Sequence, residues 1–225
     1  DLAELTARKK QYDYCRDELL SFGEEVECMT LKAIALKTYS GGTPKANVTA
    51  YYANGDIPWL RTQEILFNEI YRTEIKITEA ALKNSAAKWI PENCVIIAIS
   101  GATAGRSAIN KIPLTTNQHC FCVEIDPQKA SYRYVFHWVS NNYEQLKSLG
   151  RGARGDLNGR IISNFTIPIP PLSEQERIVS ILDQFDTLVN SISIGLPAEI
   201  EARQKQYEYY REKLLTFKAL DTEVS

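Results

Sequence analysis

Three arginines and four glycines fall within one eleven-residue stretch, Gly150-Arg151-Gly152-Ala153-Arg154-Gly155-Asp156-Leu157-Asn158-Gly159-Arg160. A guanidinium presents a planar fork of donors that fits a phosphate, or the O6 and N7 edge of guanine, in bidentate fashion. Interleaved glycines make a poor core and a backbone free to follow a groove. Arg151, Arg154 and Arg160 are therefore candidate DNA contacts, with a solvated loop as the alternative. A second candidate is Ser40-Gly41-Gly42-Thr43-Pro44-Lys45, followed by Gly55-Asp56-Ile57-Pro58-Trp59-Leu60-Arg61-Thr62. Gly41 and Gly42 permit close backbone approach, Thr43, Lys45 and Arg61 offer polar contacts, and Trp59 suits a core anchor. A third is Ser100-Gly101-Ala102-Thr103-Ala104-Gly105-Arg106-Ser107. It follows an apolar run as a phosphate loop would, yet has three residues between its glycines where four are needed, and then Arg instead of Lys. A tight turn exposing Thr103 and Arg106 is the better reading.

No catalytic constellation accompanies these segments. The two histidines, His119 and His137, stand in neither a metal nor a triad pattern, and the chain has no dinucleotide fingerprint. The five cysteines form no CxxC pair and read as reduced thiols of a cytoplasmic protein, with no metal site. Residues 1–10 are polar and mixed in charge, unlike a signal peptide, and no apolar run is long enough for a bilayer. The formal net charge is −2. Residues 23–172 carry 16 Lys/Arg against 13 Asp/Glu, while the flanks carry 10 against 15. A mildly basic middle between acidic ends suits a local phosphate-facing surface.

The elements that must hold these loops begin and end on a repeat. Ala3–Phe22 (AELTARKKQYDYCRDELLSF) and Ala198–Phe217 (AEIEARQKQYEYYREKLLTF) agree at twelve of twenty positions with an offset of 195. Both lack internal Gly and Pro, and both carry a heptad seam at alternating steps of three and four: Leu5, Arg8, Tyr12, Cys15, Leu19 and Phe22 in the first copy, Ile200, Arg203, Tyr207, Tyr210, Leu214 and Phe217 in the second. Before the second copy, Ser173 is a candidate N-cap with Glu176 closing a capping box. Ile178, Ile181, Leu182, Phe185, Leu188, Val189 and Ile192 form an apolar stripe, and Gly195-Leu196-Pro197 breaks or kinks the helix. Residues 174–217 would extend roughly 60 Å as helix, which suits a spacer. The middle reads as mixed α/β. Strands are expected over 94–100, 119–125 and 165–169, helices over 80–89 and 131–149, and loops at 41–44, 55–58 and 150–159. The fold class is thus α+β: one mixed α/β domain (23–172) flanked by long helices (1–22 and 173–225) that form an antiparallel coiled-coil spacer.

Taken together, GGTP (41–44), GDIPWLRT (55–62), SGATAG (100–105), Thr116-Asn117-Gln118 and IPIPPLSEQERIVSILDQFD (167–186) resemble the type I restriction–modification specificity (S) subunit family over nearly the whole chain. The resemblance implies a target-recognition domain that reads one half of a split DNA site, with no catalysis of its own. It implies partners: double-stranded DNA, modification subunits that bind S-adenosylmethionine, and a restriction subunit that uses ATP and Mg²⁺, with no cofactor on this chain. The family has two recognition domains and this chain has one, so it looks like a C-terminal half, able to form a homodimer through its helices. Ile178, Ile181, Phe185, Leu188, Tyr207 and Tyr210 are the expected partner-binding residues. Two rivals stay open. A stand-alone methyltransferase is opposed by the missing Asn/Asp-Pro-Pro-aromatic tetrapeptide, and a coiled-coil adaptor without DNA contact is opposed by the arginine-rich loop.

Overall fold

The computed structural model describes residues 2–150, 156–186, 205 and 208, with side chains for all of these except 2–5, 8 and 9. The chain divides into two compact units. One is Arg16–Ile181, and the other joins Asp1–Cys15 with Leu182–Ser225.

The larger unit is a mixed α/β body. Its elements in chain order are β1 (Cys28–Thr30), β2 (Ala35–Ser40), β3 (Ile57–Leu60), β4 (Asn68–Ile70), β5 (Ile75–Ile77), the short helix α2 (Glu79–Lys83), β6 (Val95–Ala98), β7 (Ser107–Asn110), β8 (Thr115–Thr116) and β9 (Cys120–Ile125). After these come helices α3 (Tyr132–Asn141), α4 (Tyr143–Ser148) and α5 (Gly159–Ser163), then β10 (Thr166–Pro168). Helix α1 spans Leu2–Leu19, and a further helix, α6, covers 172–186. The described strands form a five-stranded sheet of order β2-β9-β6-β7-β4, a three-stranded sheet of order β5-β3-β8, and the pair β1-β10.

Composition explains the centre of the large sheet. β6 is Val-Ile-Ile-Ala with every residue buried, as a strand covered on both faces must be. It pairs antiparallel with β9 on one side and β7 on the other. One face carries Ile96, Ala98, Ala108, Cys120 and Cys122 into a cluster with Leu60, Ile65 and Leu114. Helix α3 packs against β6 and β7. The hydroxyl of its fully buried Tyr134 donates to the Pro168 carbonyl at 2.8 Å, tying α3 to β10. A second, smaller cluster holds Ile57, Trp59, Ile77, Ala81 and Ala87.

Two buried amides fix loops that would otherwise leave backbone groups unpaired. Asn110 donates to the carbonyls of Pro91 (2.6 Å) and Ile112 (3.0 Å) and accepts from the Cys94 N–H (3.0 Å). Gln175, fully buried, accepts from the Ser131 N–H at 2.8 Å and donates to the Pro170 carbonyl at 2.8 Å. It thereby joins the start of α6 to the start of α3.

Local chemistry moves several expected boundaries. The helix expected over 80–89 is only Glu79–Lys83, because the Asn84 amide takes the Ala80 carbonyl and ends it. The single helix expected over 131–149 is two, divided at Asn142, whose amide takes the Trp138 carbonyl. The loop expected at 55–58 already turns into β3 at Ile57. Ser173 is not the N-cap: α6 begins at 172, and the Pro171 carbonyl receives the N–H groups of Glu174 (2.9 Å) and Gln175 (3.0 Å). No helix among the described residues is long and apolar enough to cross a membrane.

Two tests follow from this packing. Gln175→Leu strands the Ser131 N–H and a buried carbonyl, so urea unfolding should show a loss of about 2–4 kcal/mol. The second concerns the cysteines. Burial pushes the thiols of Cys94 and Cys120 up to about 12, and that of Cys122 well above 9.0. Cys28 is exposed and Cys15 half-exposed. A thiol reagent should therefore label at most these two in the native protein, and all five after denaturation. Because an unfolded thiol ionises before these three do, stability should be unaffected below the unfolded value of 9.0 and fall as pH rises from there toward 12. Thermal melts across that range read the effect.

Candidate nucleic-acid interface

Strand direction gathers the motif-bearing loops at one rim. In the large sheet β2 and β6 end at the edge where β4, β7 and β9 begin, since β9 is antiparallel to both β2 and β6, and β7 is antiparallel to β6 and parallel to β4. In the small sheet β3 and β8 run parallel. Their ends reach the same edge because β8 leads through residues 117–119 straight into β9, with the Asn117 N–H on the Leu60 carbonyl at 3.1 Å. Sequence segments 41–45, 61–64, 66–67, 99–106 and 117–119 therefore share this rim.

Gly41 and Gly42 are buried and act as spacers. A Cβ on Gly41 would lie 1.9 Å from the Thr116 carbonyl oxygen, and one on Gly42 would lie 2.6 Å from Ala86 Cβ. The Gly42 N–H reaches the Thr116 carbonyl at 2.9 Å, and the Trp59 indole N–H reaches the Gly42 carbonyl at 3.1 Å. Trp59 is thus the core anchor its surroundings suggested. With the glycines held inward, Thr43 and Lys45 stand exposed at the turn.

From Thr43 a chain of polar groups crosses the rim. The Thr43 hydroxyl donates to Gln118 Oε1 at 2.5 Å, Gln118 Nε2 lies 3.0 Å from His119 Nε2, and His119 Nδ1 lies 2.7 Å from Ser100 Oγ. An amide, not a carboxylate, sits on the far side of the ring, so the Ser–His pair lacks the partner that would orient it for nucleophilic attack. The row offers donors and acceptors in a line, which suits base edges or phosphates. Reading the sequence pattern left Ser100, Gln118 and His119 out of the site. The signal was present in the Thr116-Asn117-Gln118 motif and the histidine directly after it.

The 101–106 turn has two glycines in the left-handed region, Gly101 at φ 75° and Gly105 at φ 87°. The Gly105 N–H bonds back to the Ala98 carbonyl at 2.8 Å and closes a tight hairpin from β6 to β7. Thr103 and Arg106 are half-exposed on it. The Gly101 N–H donates to Asp156 Oδ1 at 3.3 Å, and the Leu157 N–H to the Ile99 carbonyl at 2.8 Å. These bonds tie the end of the arginine-rich segment to the rim. Asn158 caps α5, and Arg160 is exposed in its first turn. Arg151 and Arg154 lie outside the described residues. Arg61 is differently placed: its guanidinium is paired with Glu74 at 2.5 Å, and its backbone N–H with Glu64 at 3.1 Å.

Of the expected partner-binding residues, Ile178 is buried, whereas Ile181 and Phe185 are half-buried. Within the smaller unit the Phe185 ring lies 6.2 Å from that of Tyr12, tilted by 59°. Leu188, Tyr207 and Tyr210 lie outside the described residues.

Comparison with known proteins agrees with this architecture. Residues 23–202 match the family described as type I restriction modification DNA specificity domain. The chain is 41% identical over 227 residues to the type I restriction enzyme EcoR124I/EcoR124II specificity subunit of Escherichia coli, covering 98% of this chain and 56% of that protein. It is 33% identical to the EcoprrI specificity subunit of the same species, covering 92% and 54%. The chain thus spans about half the length of the curated relatives it matches. Its fold resembles the HsdS subunit of Thermoanaerobacter tengcongensis, with a TM-score of 0.65 at 14% identity over 86% of this chain and 47% of that one. It also resembles the S subunit of M. genitalium, with a TM-score of 0.65 at 14% identity over 91% and 54%. The rim, the mixed sheets that carry it and the family match over residues 23–202 lead to one conclusion: the chain belongs to the type I restriction–modification DNA specificity domain family.

Proposed function

We propose that this chain reads one half of a bipartite DNA target for a type I restriction–modification assembly, and docks the modification and restriction subunits that carry the chemistry. The observation that carries the reading is the convergence of Thr43, Lys45, Gln118, Thr103, Arg106 and the anchored end of the arginine segment on one rim of a family specificity domain. Loops on a rigid sheet edge can hold donors in fixed register against a duplex, which is what sequence choice requires. No cofactor is assigned to this chain. S-adenosylmethionine, ATP and Mg²⁺ belong to the partner subunits in this reading.

The repeated helices act as a spacer between half-sites. The Tyr12–Phe185 ring contact, and the grouping of residues 1–15 with 182–225, support an antiparallel pair. The chain spans about half of the two Escherichia coli relatives, so the other half-site would fall to a second recognition domain, on a longer chain or on a second copy joined through these helices. Methylation mapping of DNA exposed to this chain with its modification subunit tests the whole reading. A split target with a fixed gap is the expected result. Methylation without sequence preference, or none at all, would leave the chain a helical adaptor.

Individual rim residues divide by their response to salt. If Arg106 and Arg160 hold phosphates, Ala variants should weaken specific and scrambled duplexes alike and lower the salt slope by about one each. A residue reading a base should cost about 1–3 kcal/mol at one position and relax choice there. Arg61 must release Glu74 before it can reach DNA. Glu74→Gln should therefore tighten DNA binding and steepen its salt dependence, whereas Arg61→Ala should abolish that gain. Binding titrations of the assembled complex across salt measure all four variants.

A further inference from the structure

One part of the rim departs from the polar character of the rest. Leu66 and Phe67, in the link leading into β4, are 53% and 41% exposed. Phe67 has φ 59°, in the left-handed region that a bulky aromatic side chain rarely occupies. Strained placements persist where the surroundings over-determine them, and here they do. The Phe67 N–H donates to the Ser107 carbonyl at 2.9 Å, and the Leu66 N–H to Asn68 Oδ1 at 2.8 Å. Ile65 beside them is fully buried and roots the link in the core. The Phe67 ring meets that of Tyr143 edge-on, 5.3 Å between centroids at 85°. The backbone is thus held rigid while two large apolar side chains point away from the protein interior.

Cations lie beside this point, on the side of Tyr143. The Lys147 ammonium sits 5.1 Å over the Tyr143 ring. Gly105, next to Arg106 in the chain, packs against the same residues: a Cβ there would lie 3.4 Å from Lys147 Cβ. Gly105 makes room for them: a Cβ there would come within 3.2 Å of Tyr143. No ion pair occupies Arg106 among the described residues. Below the wedge, a cavity of about 620 Å³ is lined by Glu64, Glu69 and Glu74 together with Leu66 and Tyr71.

We infer that Leu66 and Phe67 form an apolar wedge that enters the minor groove and opens one base step, with Arg106 and Lys147 holding phosphates on the Tyr143 side of it. This deepens, and rests on, the half-site reading proposed above. Wedges of this type unstack a step and bend the duplex, and their cost depends on how easily that step deforms. The wedge would add sequence preference for a flexible pyrimidine–purine step at a position where no hydrogen bond reads a base. A pair of apolar tips with two cations beside it matches a duplex, with charge outside and apolar stack within, better than it matches an ordinary protein surface.

The test uses the complex of this chain with its modification subunit, on a duplex carrying the mapped half-site, with 2-aminopurine placed at successive positions. Wild type should raise the fluorescence at one step and bend circularly permuted fragments by about 20° or more. Phe67→Gly suits the positive φ and so should keep the thermal midpoint. It should also silence the fluorescence rise, reduce the bend and weaken half-site binding about tenfold. Leu66→Ser should act in the same direction. The wedge is refuted if Phe67→Gly unstacks the same base and binds as wild type does, or if wild type unstacks none. Loss of assembly with the modification subunit, DNA binding being otherwise intact, would also refute it and give the patch to a protein partner. Should the wild-type complex prefer no half-site at all, the reading beneath the wedge fails, a result distinct from the others.

Discussion

Everything at the rim depends on how closely two backbones approach at Gly41 and Thr116. The five-stranded and three-stranded sheets meet there, and the space between them is too small for one methyl group: a Cβ on Gly41 would overlap the Thr116 carbonyl. With the methyl absent, the Gly42 N–H bonds to Thr116 and its carbonyl receives the Trp59 indole. The same glycine pair therefore locks the large sheet to the small one and seats the tryptophan of the smaller core. Thr43 and Gln118 can then face each other across the seam. A wider joint would leave the polar row broken in the middle.

The rim also carries its own competition for charge. Arg61 is matched by Glu74, and Arg133 by Glu69, whereas Lys147 lies over the Tyr143 ring and Arg106 follows Gly105 in a tight turn. Partly exposed ion pairs of the first kind are worth little by themselves. Their effect here is to mask some cations and leave others, such as Lys45, Arg106 and Arg160, without such a partner among the described residues. On the half-site reading proposed above, this is how a chain of net charge −2 could still meet phosphates locally.

How much of this could be read beforehand depended on apolar character more than on length. The apolar runs at 94–100, 119–125 and 165–169 fall on β6, β9 and the three-residue β10. The six-residue β2 is mostly exposed and carries Lys, Thr and Ser, so it left no such signal, and neither did β3, β7 or the short strands Cys28–Thr30, Asn68–Ile70 and Ile75–Ile77. Gln175 was legible only as part of a polar helix start, although it is fully buried and joins two helices. Among the site residues, the arginines and glycines announced themselves by type. Phe67 did not, because an aromatic residue beside Leu66 and Ile65 reads as core, and only its positive φ turns it outward. His119 was passed over because its partners, Ser100 and Gln118, become neighbours of use only when three loops converge.

The pairing of β1 with β10 has a consequence for how such a protein changes over generations. Met29 lies opposite Ile167, so the residues that open the α/β body and those that close it are bonded side by side. Everything between them, the candidate rim included, starts and ends at this neck, which Gln175 and Phe22 reinforce by packing on α3. Outside that neck the chain carries two near-copies of one helical sequence, at Ala3–Phe22 and Ala198–Phe217. Repeated coding sequence invites genetic crossover, and a crossover between such copies exchanges what lies between them as one cassette. The newcomer's two ends zip to each other at β1 and β10, and it must also keep the α3 surface that meets Gln175 and Phe22. On the half-site reading proposed above, one recombination event could in this way bring a new DNA preference without first evolving a new fold.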